Sequence, residues 1–171
     1  MSGVMDATRV DAESRVSGAD HLSLRLWLRL LTCTTMIERC VRERLRERFD
    51  LTLPRFDLMA QLARAPKGLR MSDLSRRLMV TGGNVTGLTD QLVAEGLVVR
   101  AELPDDRRVY RVRLTGKGRR QFALMATEHE RWIIDLLAAV PVEERENLHR
   151  LLGALKVGLA QTLETHRELA Q

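Results

Sequence analysis

The sequence predicts a mainly helical fold that contains one small β-hairpin. Residues 71–96 hold two short segments with helically spaced apolar residues, separated by a tight break at Val80-Thr81. Residues 97–114 then hold two segments rich in β-branched residues on either side of the turn-forming stretch LPDDRR. Two helices joined by a short turn and followed by a hairpin are the elements of a winged helix-turn-helix, which we expect between long flanking helices.

The elements before this segment follow from spacing and capping. We expect a first helix from about Asp20, its N-cap, to Phe49. Its apolar stripe consists of Leu26, Leu30, Cys33, Ile37, Val41 and Leu45. Its charged end, ERCVRERLRER, fits either a solvated helix face or an anion-binding face. A second helix, over 55–65, follows a break at LTLP that offers Thr52 as a cap and Pro54 in the first turn.

The central helices and the hairpin come next. The third helix is expected to begin near Ser72, and the fourth to follow Thr81 as its N-cap and to end at Gly96. We expect the inner face of the fourth helix to consist of Val85, Leu88, Leu92 and Val93. The two strands are predicted over 97–102 and 109–114.

Two long helices complete the chain. The fifth is expected to open at Thr115-Gly116-Lys117-Gly118 and to run to about Val140, and the sixth to cover 142–169. Both carry apolar stripes, which fit packing within the chain, a two-fold dimer, or both. The predicted organisation is a disordered polar leader (1–19), an N-terminal dimerisation helix (20–50), a winged helix-turn-helix DNA-binding region (51–118) and C-terminal dimerisation helices (119–171).

Positive charge is concentrated in the predicted winged segment. Residues 70–120 contain 11 Lys and Arg against 6 Asp and Glu, a net charge of +5 that equals the net charge of the whole chain. The rest of the chain therefore balances to zero, with 17 residues of each sign. A localised basic patch of this kind is typical of a protein that binds nucleic-acid phosphates.

Other classes of protein find little support in the sequence. It has no GxSxG, phosphate loop, dinucleotide fingerprint or metal-ligand spacing, so we expect no enzyme activity, cofactor or metal. No apolar run is long enough to cross a bilayer and the leader has no secretory pattern, which predicts a cytoplasmic protein without a membrane partner. Cys33 and Cys40 are expected to be buried apolar thiols, with redox sensing through either one as the alternative.

The residues LSRRLMVTGGNVTGLTDQLVAEGLVVR and PDDRRVYRVRLTGKG closely resemble the MarR (multiple antibiotic resistance regulator) family of bacterial transcription regulators. The second stretch is similar to the family's wing pattern at Asp106, Arg108, Leu114, Thr115 and Gly118. The resemblance covers everything except the leader. It implies a triangular α/β homodimer on a double-stranded DNA operator that is expected to be palindromic. It also implies repression of nearby genes until a small ligand, often phenolic, loosens DNA binding.

The resemblance implies particular DNA contacts. The fourth helix would be the recognition helix, with Asn84 and Gln91 able to pair with adenine and Thr86 able to touch a thymine methyl group or a phosphate. The wing would place Arg108 in the minor groove, braced by Asp106, with Arg107 on a phosphate. The full set of expected DNA-binding residues is Ser72, Arg76, Arg77, Gly83, Asn84, Thr86, Thr89, Gln91, Asp106, Arg107 and Arg108.

The resemblance also implies a ligand site where the first, second and fifth helices meet. The expected lining residues are Trp27, Arg39, Arg55, Phe56, Met59, Met125, His129 and Trp132, although each also fits ordinary core packing. The stretch LSRRLMVTGGNVTGLTDQLVAEGLV is most similar to regulators of aromatic-acid catabolism, including those that answer hydroxycinnamoyl-CoA thioesters. This likeness implies a small aromatic ligand or a coenzyme A thioester whose phosphates meet an arginine group: Arg39, Arg42, Arg44, Arg46, Arg48 and Arg55.

Overall fold

The computed structural model describes residues 21–103 and 106–169, without the side chains of residues 102–109. Six α-helices and three β-strands follow one another along these ranges. The helices are α1 (Leu22–Phe49), α2 (Leu53–Ala63), α3 (Met71–Leu78), α4 (Gly82–Ala94), α5 (Gly116–Leu136) and α6 (Val142–Leu169). The strands are β1 (Leu69–Arg70), β2 (Val98–Leu103) and β3 (Asp106–Leu114). The predicted mainly helical fold with one β-hairpin is confirmed.

The strands form a small antiparallel sheet in the order β1-β3-β2. β2 and β3 are the predicted hairpin, and their register shifts between Glu102 and Leu103. β1 was not predicted, because a two-residue strand is too short to show an alternating pattern. It pairs Leu69 with Val112 and so brings the start of α3 against the sheet.

Several predicted helix ends differ from the structure. The fifth helix ends at Leu136, four residues before the predicted Val140, in a turn that precedes Pro141. α2 begins at Leu53 rather than Arg55 and ends at Ala63, with Thr52 as N-cap and Pro54 in its first turn as predicted. The predicted cap Asp20 and the leader lie outside the described residues, and the cap position of α1 is His21.

The chain divides into two compact units at residue 130, within α5. The interior of the first unit contains the fully buried residues Leu45, Leu51, Leu58, Met59, Leu62, Leu74, Val85, Leu92, Leu97, Val112 and Met125. They come from α1 to α5, from the sheet and from the α1–α2 and α4–β2 connections, so the winged helix-turn-helix shares one core. In the second unit, no residue of α6 that the structure describes is buried.

Candidate nucleic-acid interface

The turn between α3 and α4 is held by side-chain and backbone hydrogen bonds. The hydroxyl of Ser75 donates to the carbonyl oxygen of Val80 at 2.6 Å, and the Val80 amide donates to the carbonyl of Ser75 at 3.2 Å. Met79 lies between them in the left-handed conformation, with φ of 54°. Thr81 then occupies the predicted N-cap position of α4. These contacts fix the direction in which α4 leaves α3.

An open groove runs between the two helices. Its lining includes three of the expected DNA-binding residues, which the fold therefore brings together: Ser72, Arg76 and Thr86. Arg76 forms an ion pair with Asp73, one turn earlier on α3, and its side chain remains largely exposed. Arg77 is exposed beside it. The last turn of α3 thus presents two exposed guanidinium groups, of which that of Arg76 lines the groove.

The outer face of α4 is polar and open. Asn84, Thr86 and Gln91 are exposed, while Val85 and Leu92 on the opposite face are fully buried. A Cβ atom added at Gly82, Gly83 or Gly87 would meet nothing within 4 Å. The first half of α4 is therefore a narrow surface that another molecule can approach closely.

Thr89 and Val93 lie on the opposite faces of α4 from those predicted. Thr89 was expected to face outwards, but it is fully buried, and its hydroxyl donates to the carbonyl of Val85 at 2.8 Å. Because the hydroxyl bonds within its own helix, it needs no solvent. Val93, which was expected on the inner face, is instead partly exposed. Thr89 takes the inner position because residues 85, 89 and 92 follow the helical spacing.

The expected wing contacts fall in the part of the hairpin whose side chains are not described. The backbone of β3 includes Asp106, Arg107 and Arg108, so these residues lie at the predicted tip of the hairpin. Pro104 and Asp105 lie outside the described residues. The roles assigned to the three wing side chains stay predictions.

One contact between α4 and the hairpin was missed. Asp90, on the exposed side of α4, forms an ion pair of 2.5 Å with Arg100 of β2. The two residues lie ten positions apart on different elements, so no local spacing pattern reveals them. This pair joins the candidate recognition helix to the wing.

Part of the expected ligand wall is assembled in the first unit. The ring of Phe56 lies 5.0 Å from the ring of His129 and 5.5 Å from that of Phe122, measured between centroids. Burial lowers the pKa of His129, since it disfavours the charged imidazolium. Met59 and Met125 are fully buried. We refer to Phe56, Phe122 and His129 as the ring stack.

The remaining expected ligand residues are more widely distributed. Trp27 is more than half exposed on α1, and Trp132 is buried in the second unit. Arg55 was expected in the arginine group that meets the phosphates, whereas its side chain is buried and forms an ion pair with Glu95. A buried guanidinium that is already paired is poorly placed to receive a phosphate.

Arg39 instead lines a pocket of about 270 Å³ between the end of α1 and the start of α2. Arg42 and Arg46 line it as well, together with Glu43 and the segment 51–54. Arg39 pairs with Glu43 at 3.1 Å, and Arg42 with Glu38 at 2.8 Å. We refer to this cavity as the α1–α2 pocket.

Comparison with known proteins identifies the family. The sequence profile described as MarR family matches residues 49–109. The chain is 32% identical over 127 residues to the transcriptional activatory protein BadR of Rhodopseudomonas palustris, which covers 72% of this chain and 71% of BadR. The chain belongs to the MarR family of transcriptional regulators. It spans 62% and 60% of the length of other curated regulators, from Bacillus species.

Solved structures agree with this assignment. The MarR family regulator from Silicibacter pomeroyi shares 33% identity and a TM-score of 0.72, over 84% of this chain and 99% of that protein. FabT of Streptococcus pneumoniae, solved in complex with DNA, shares 26% identity and a TM-score of 0.69, over 81% of this chain and 98% of FabT.

The structure explains the MarR-like pattern Leu114-Thr115-x-x-Gly118. The Thr115 hydroxyl donates to the Gly96 carbonyl at 2.8 Å and accepts from the Gly118 amide at 2.9 Å. A Cβ atom at Gly118 would overlap the carbonyl oxygen of Leu97. Threonine and glycine are thus needed where α5 starts against the end of α4.

Cys33 is exposed and Cys40 is partly exposed, so the expectation that both are buried is wrong for the single chain. Across residues 21–103 and 106–169, no group of three or more His, Cys, Asp or Glu residues is arranged to hold a metal ion. Within the same ranges, every helix is too short or too polar to span a membrane.

Proposed function

We propose that this chain is a ligand-responsive, DNA-binding regulator that acts as a homodimer on a palindromic double-stranded operator. The observation that carries the proposal is the exposed face of α4, where Asn84, Thr86 and Gln91 point away from a fully buried inner face. An α-helix fits the major groove, and amide side chains read adenine there through paired hydrogen bonds. FabT, which shares the fold, was solved in complex with DNA.

Affinity in this proposal comes mainly from phosphate contacts. α4 contains no Lys or Arg, whereas the exposed Arg76 and Arg77 lie on α3, in the segment with the net charge of +5. Contacts between arginine and phosphate release counterions from the DNA, so binding weakens steeply as salt rises. Sequence preference then depends on a small number of side chains on α4.

The homodimer is supported by the apolar face that α6 leaves exposed in the single chain. Leucines recur at helical spacing along it, and their side chains are about half exposed: Leu148, Leu151, Leu152, Leu159 and Leu163. A row of apolar side chains in water is typical of an interface. A second copy of the chain is the occupant that also gives two α4 helices for two half-sites.

The proposed effector is a small aromatic acid or an aromatic acyl-CoA thioester. The ring stack offers aromatic faces for the aromatic group. The α1–α2 pocket offers the guanidinium groups of Arg39, Arg42 and Arg46, which suit the phosphates of coenzyme A. Both features lie in the first unit, and the pocket opens at the start of α2, the helix that carries Phe56.

We further propose that the chain represses an operon for the catabolism of aromatic compounds and that the effector releases it. BadR is named as an activatory protein, so the direction of control is a separate question from DNA binding. A reporter fused to the DNA upstream of the chain's own gene distinguishes the two. Deletion of the gene raises expression if the chain is a repressor and lowers it if the chain is an activator.

The main test is fluorescence anisotropy with labelled DNA from upstream of the chain's own gene. We expect tight, salt-sensitive binding that is released by p-coumaroyl-CoA or by p-coumarate. Asn84→Ala should weaken binding to this DNA much more than binding to random DNA of equal length. Equal affinity for both DNAs in the wild type would refute the proposal.

A second titration tests the phosphate contacts. Coenzyme A without an acyl group is titrated against the wild type and against Arg46→Gln, which removes one guanidinium from the α1–α2 pocket. Arg64→Gln, an exposed arginine at the other end of α2, is the matched control. Equal affinity of all three proteins for coenzyme A would remove the thioester from the proposal and leave the free aromatic acid.

A further inference from the structure

Glu95 ties the end of α4 to two other helices. It is the C-cap residue of α4, and its carboxylate forms an ion pair with Arg55 of α2. Its backbone carbonyl accepts a hydrogen bond of 2.8 Å from the ammonium group of Lys117, in the first turn of α5. One residue therefore holds the end of the candidate recognition helix to both α2 and α5.

The ring stack joins the same two helices. Phe56 of α2 lies directly after Arg55, and it contacts Phe122 of α5 across 5.5 Å and His129 of α5 across 5.0 Å. Phe122 lies five positions after Lys117 on the same helix. Each helix is rigid over such short lengths. A change in the distance between α2 and α5 at the ring stack therefore moves both partners of Glu95, which are Arg55 and Lys117.

The ion pair is suited to transmit such a movement. The Arg55 side chain is only 10% exposed, and its Nε atom is buried with no hydrogen-bond partner among the described residues. Separating this guanidinium from Glu95 would leave a buried charge unpaired, which is costly. The pair is therefore expected to stay closed and to carry α4 with it when α2 moves.

The opposite end of α4 is held by the α3–α4 turn, through the two hydrogen bonds between Ser75 and Val80 and the N-cap position of Thr81. The three glycines in its first half have open space around their Cα atoms. Further anchors lie in the second half, where Asp90 pairs with Arg100 and Thr115 bonds to Gly96 just beyond the helix. A displacement at Glu95 would therefore change the direction of α4 about the α3–α4 turn, and with it the orientation of Asn84 and Thr86.

We propose that Glu95 is a positioning residue that couples the α2–α5 spacing at the ring stack to the direction of α4. An occupant that spreads the ring stack changes DNA affinity through the Arg55–Glu95 pair and the Lys117 hydrogen bond. This inference rests on the proposed DNA-binding function and specifies how its ligand site is linked to its DNA-reading helix.

A double-mutant cycle tests the coupling without a known ligand. Phe122→Ala disturbs the ring stack, Glu95→Gln breaks the ion pair, and operator affinity is measured for the wild type, both single variants and the double variant. We expect each single change to weaken binding to own-gene DNA by roughly 5- to 20-fold, and the double variant to be little weaker than Glu95→Gln alone. Additive effects of the two changes would overturn the coupling.

Two controls separate coupling from loss of structure. Glu128→Gln breaks the ion pair of 2.5 Å between Arg48 of α1 and Glu128 of α5, two residues that lie outside α4. Its effect should add to that of Phe122→Ala. Affinity for random DNA should stay near the wild-type value in Glu95→Gln, because phosphate contacts do not depend on the direction of α4. A parallel loss on random DNA would assign Glu95 a merely structural role and overturn the inference.

A further variant covers the case in which Glu95→Gln does not fold. Arg55→Met combined with Glu95→Gln removes both charges and leaves no unpaired buried ion. Far-UV circular dichroism and thermal melting show which proteins are folded. In this background Phe122→Ala should again have little additional effect on operator affinity, and a full additional loss would overturn the inference. Absence of sequence-preferring binding in the wild type would instead refute the proposed function itself.

Discussion

Asp90 of α4 and Arg100 of β2 form an ion pair of 2.5 Å on the exposed side of the candidate DNA interface. The pair places a carboxylate on the surface that is proposed to meet phosphates. It also occupies an arginine that the basic segment would otherwise present to DNA. Its effect on binding should therefore exceed its effect on stability, because exposed ion pairs contribute little to folding.

We accordingly predict that Asp90→Asn raises DNA affinity. Removing the carboxylate frees Arg100 and reduces repulsion, so affinity should increase severalfold at low salt and by less at high salt. Unfolding free energy should change by less than about 1 kcal/mol. Anisotropy titrations at two salt concentrations check this, with Asp135→Asn on α5 as the control. Unchanged or weaker binding would contradict the prediction.

Gly118 gives a prediction about stability. A Cβ atom there would overlap the carbonyl of Leu97, so Gly118→Ala should cost about 3 kcal/mol of unfolding free energy or more. Gly153→Ala is a matched control, because this glycine lies inside α6 with nothing within 4 Å. That change should stabilise by up to about 1 kcal/mol through helix propensity. Urea unfolding of both variants measures the difference, and similar midpoints would disprove the close approach.

Thr86 and Thr89 should respond differently to the same substitution. Thr86 is exposed on the outer face of α4, so Thr86→Val should weaken binding to own-gene DNA. Thr89 is buried and bonded within its helix, so Thr89→Val should leave operator affinity within about twofold and change stability by roughly 1 kcal/mol. Titrating both variants with the same own-gene DNA measures the two affinities. A selective loss of operator binding in folded Thr89→Val would restore the original outward assignment.

The lowered pKa of His129 predicts that the protein loses stability in mild acid. Burial lowers its pKa below the ordinary 6.5, so the unfolded chain takes up a proton at a higher pH than the folded chain. Its contribution to stability is complete above about pH 6.5 and is lost as the pH falls through the lower, folded pKa. Thermal melting between pH 7.5 and 5 should show this decline, and His129→Phe should reduce it. An equal decline in both proteins would assign it to other groups.

The raised pKa of Asp57 predicts the opposite pH dependence of stability. Burial, and next the charge of Glu38, raise its pKa above 3.8, while Arg42 lowers it. Its contribution is complete below about pH 3.8 and is lost as the pH rises through the folded pKa. Asp57→Asn should therefore raise the urea midpoint at pH 7, with Asp135→Asn as control. A lower midpoint would show that the Asp57 carboxylate contributes a favourable contact at that pH.

Most of the fold could be predicted, because most helices, turns and strands are specified by residues that lie close together in the sequence. The stripe of α1, the break at Thr52-Pro54 and the hairpin each follow from residues close together in the chain. β1 could not be predicted, since two residues carry no period. Predicted helix ends were displaced by up to four residues, because end positions depend on how the final turn packs.

The site was only partly predictable, for two physical reasons. Thr89 was assigned by its polarity, whereas a hydroxyl that bonds within its own helix can be buried as readily as an apolar group. Arg55 was grouped with neighbouring arginines, but its partner Glu95 lies 40 residues later. Contacts between distant residues depend on the assembled fold, which no local spacing pattern contains.

The open space around Gly82, Gly83 and Gly87 has a consequence for how this regulator can change. Here, three positions on the exposed helix can each accept a side chain that displaces no neighbour in the free protein. A new operator preference can therefore be acquired by adding a side chain at one of these glycines, without removing a side chain that already contacts a base. A small library of variants at these three positions is a practical starting point for redirecting the protein to other DNA sequences.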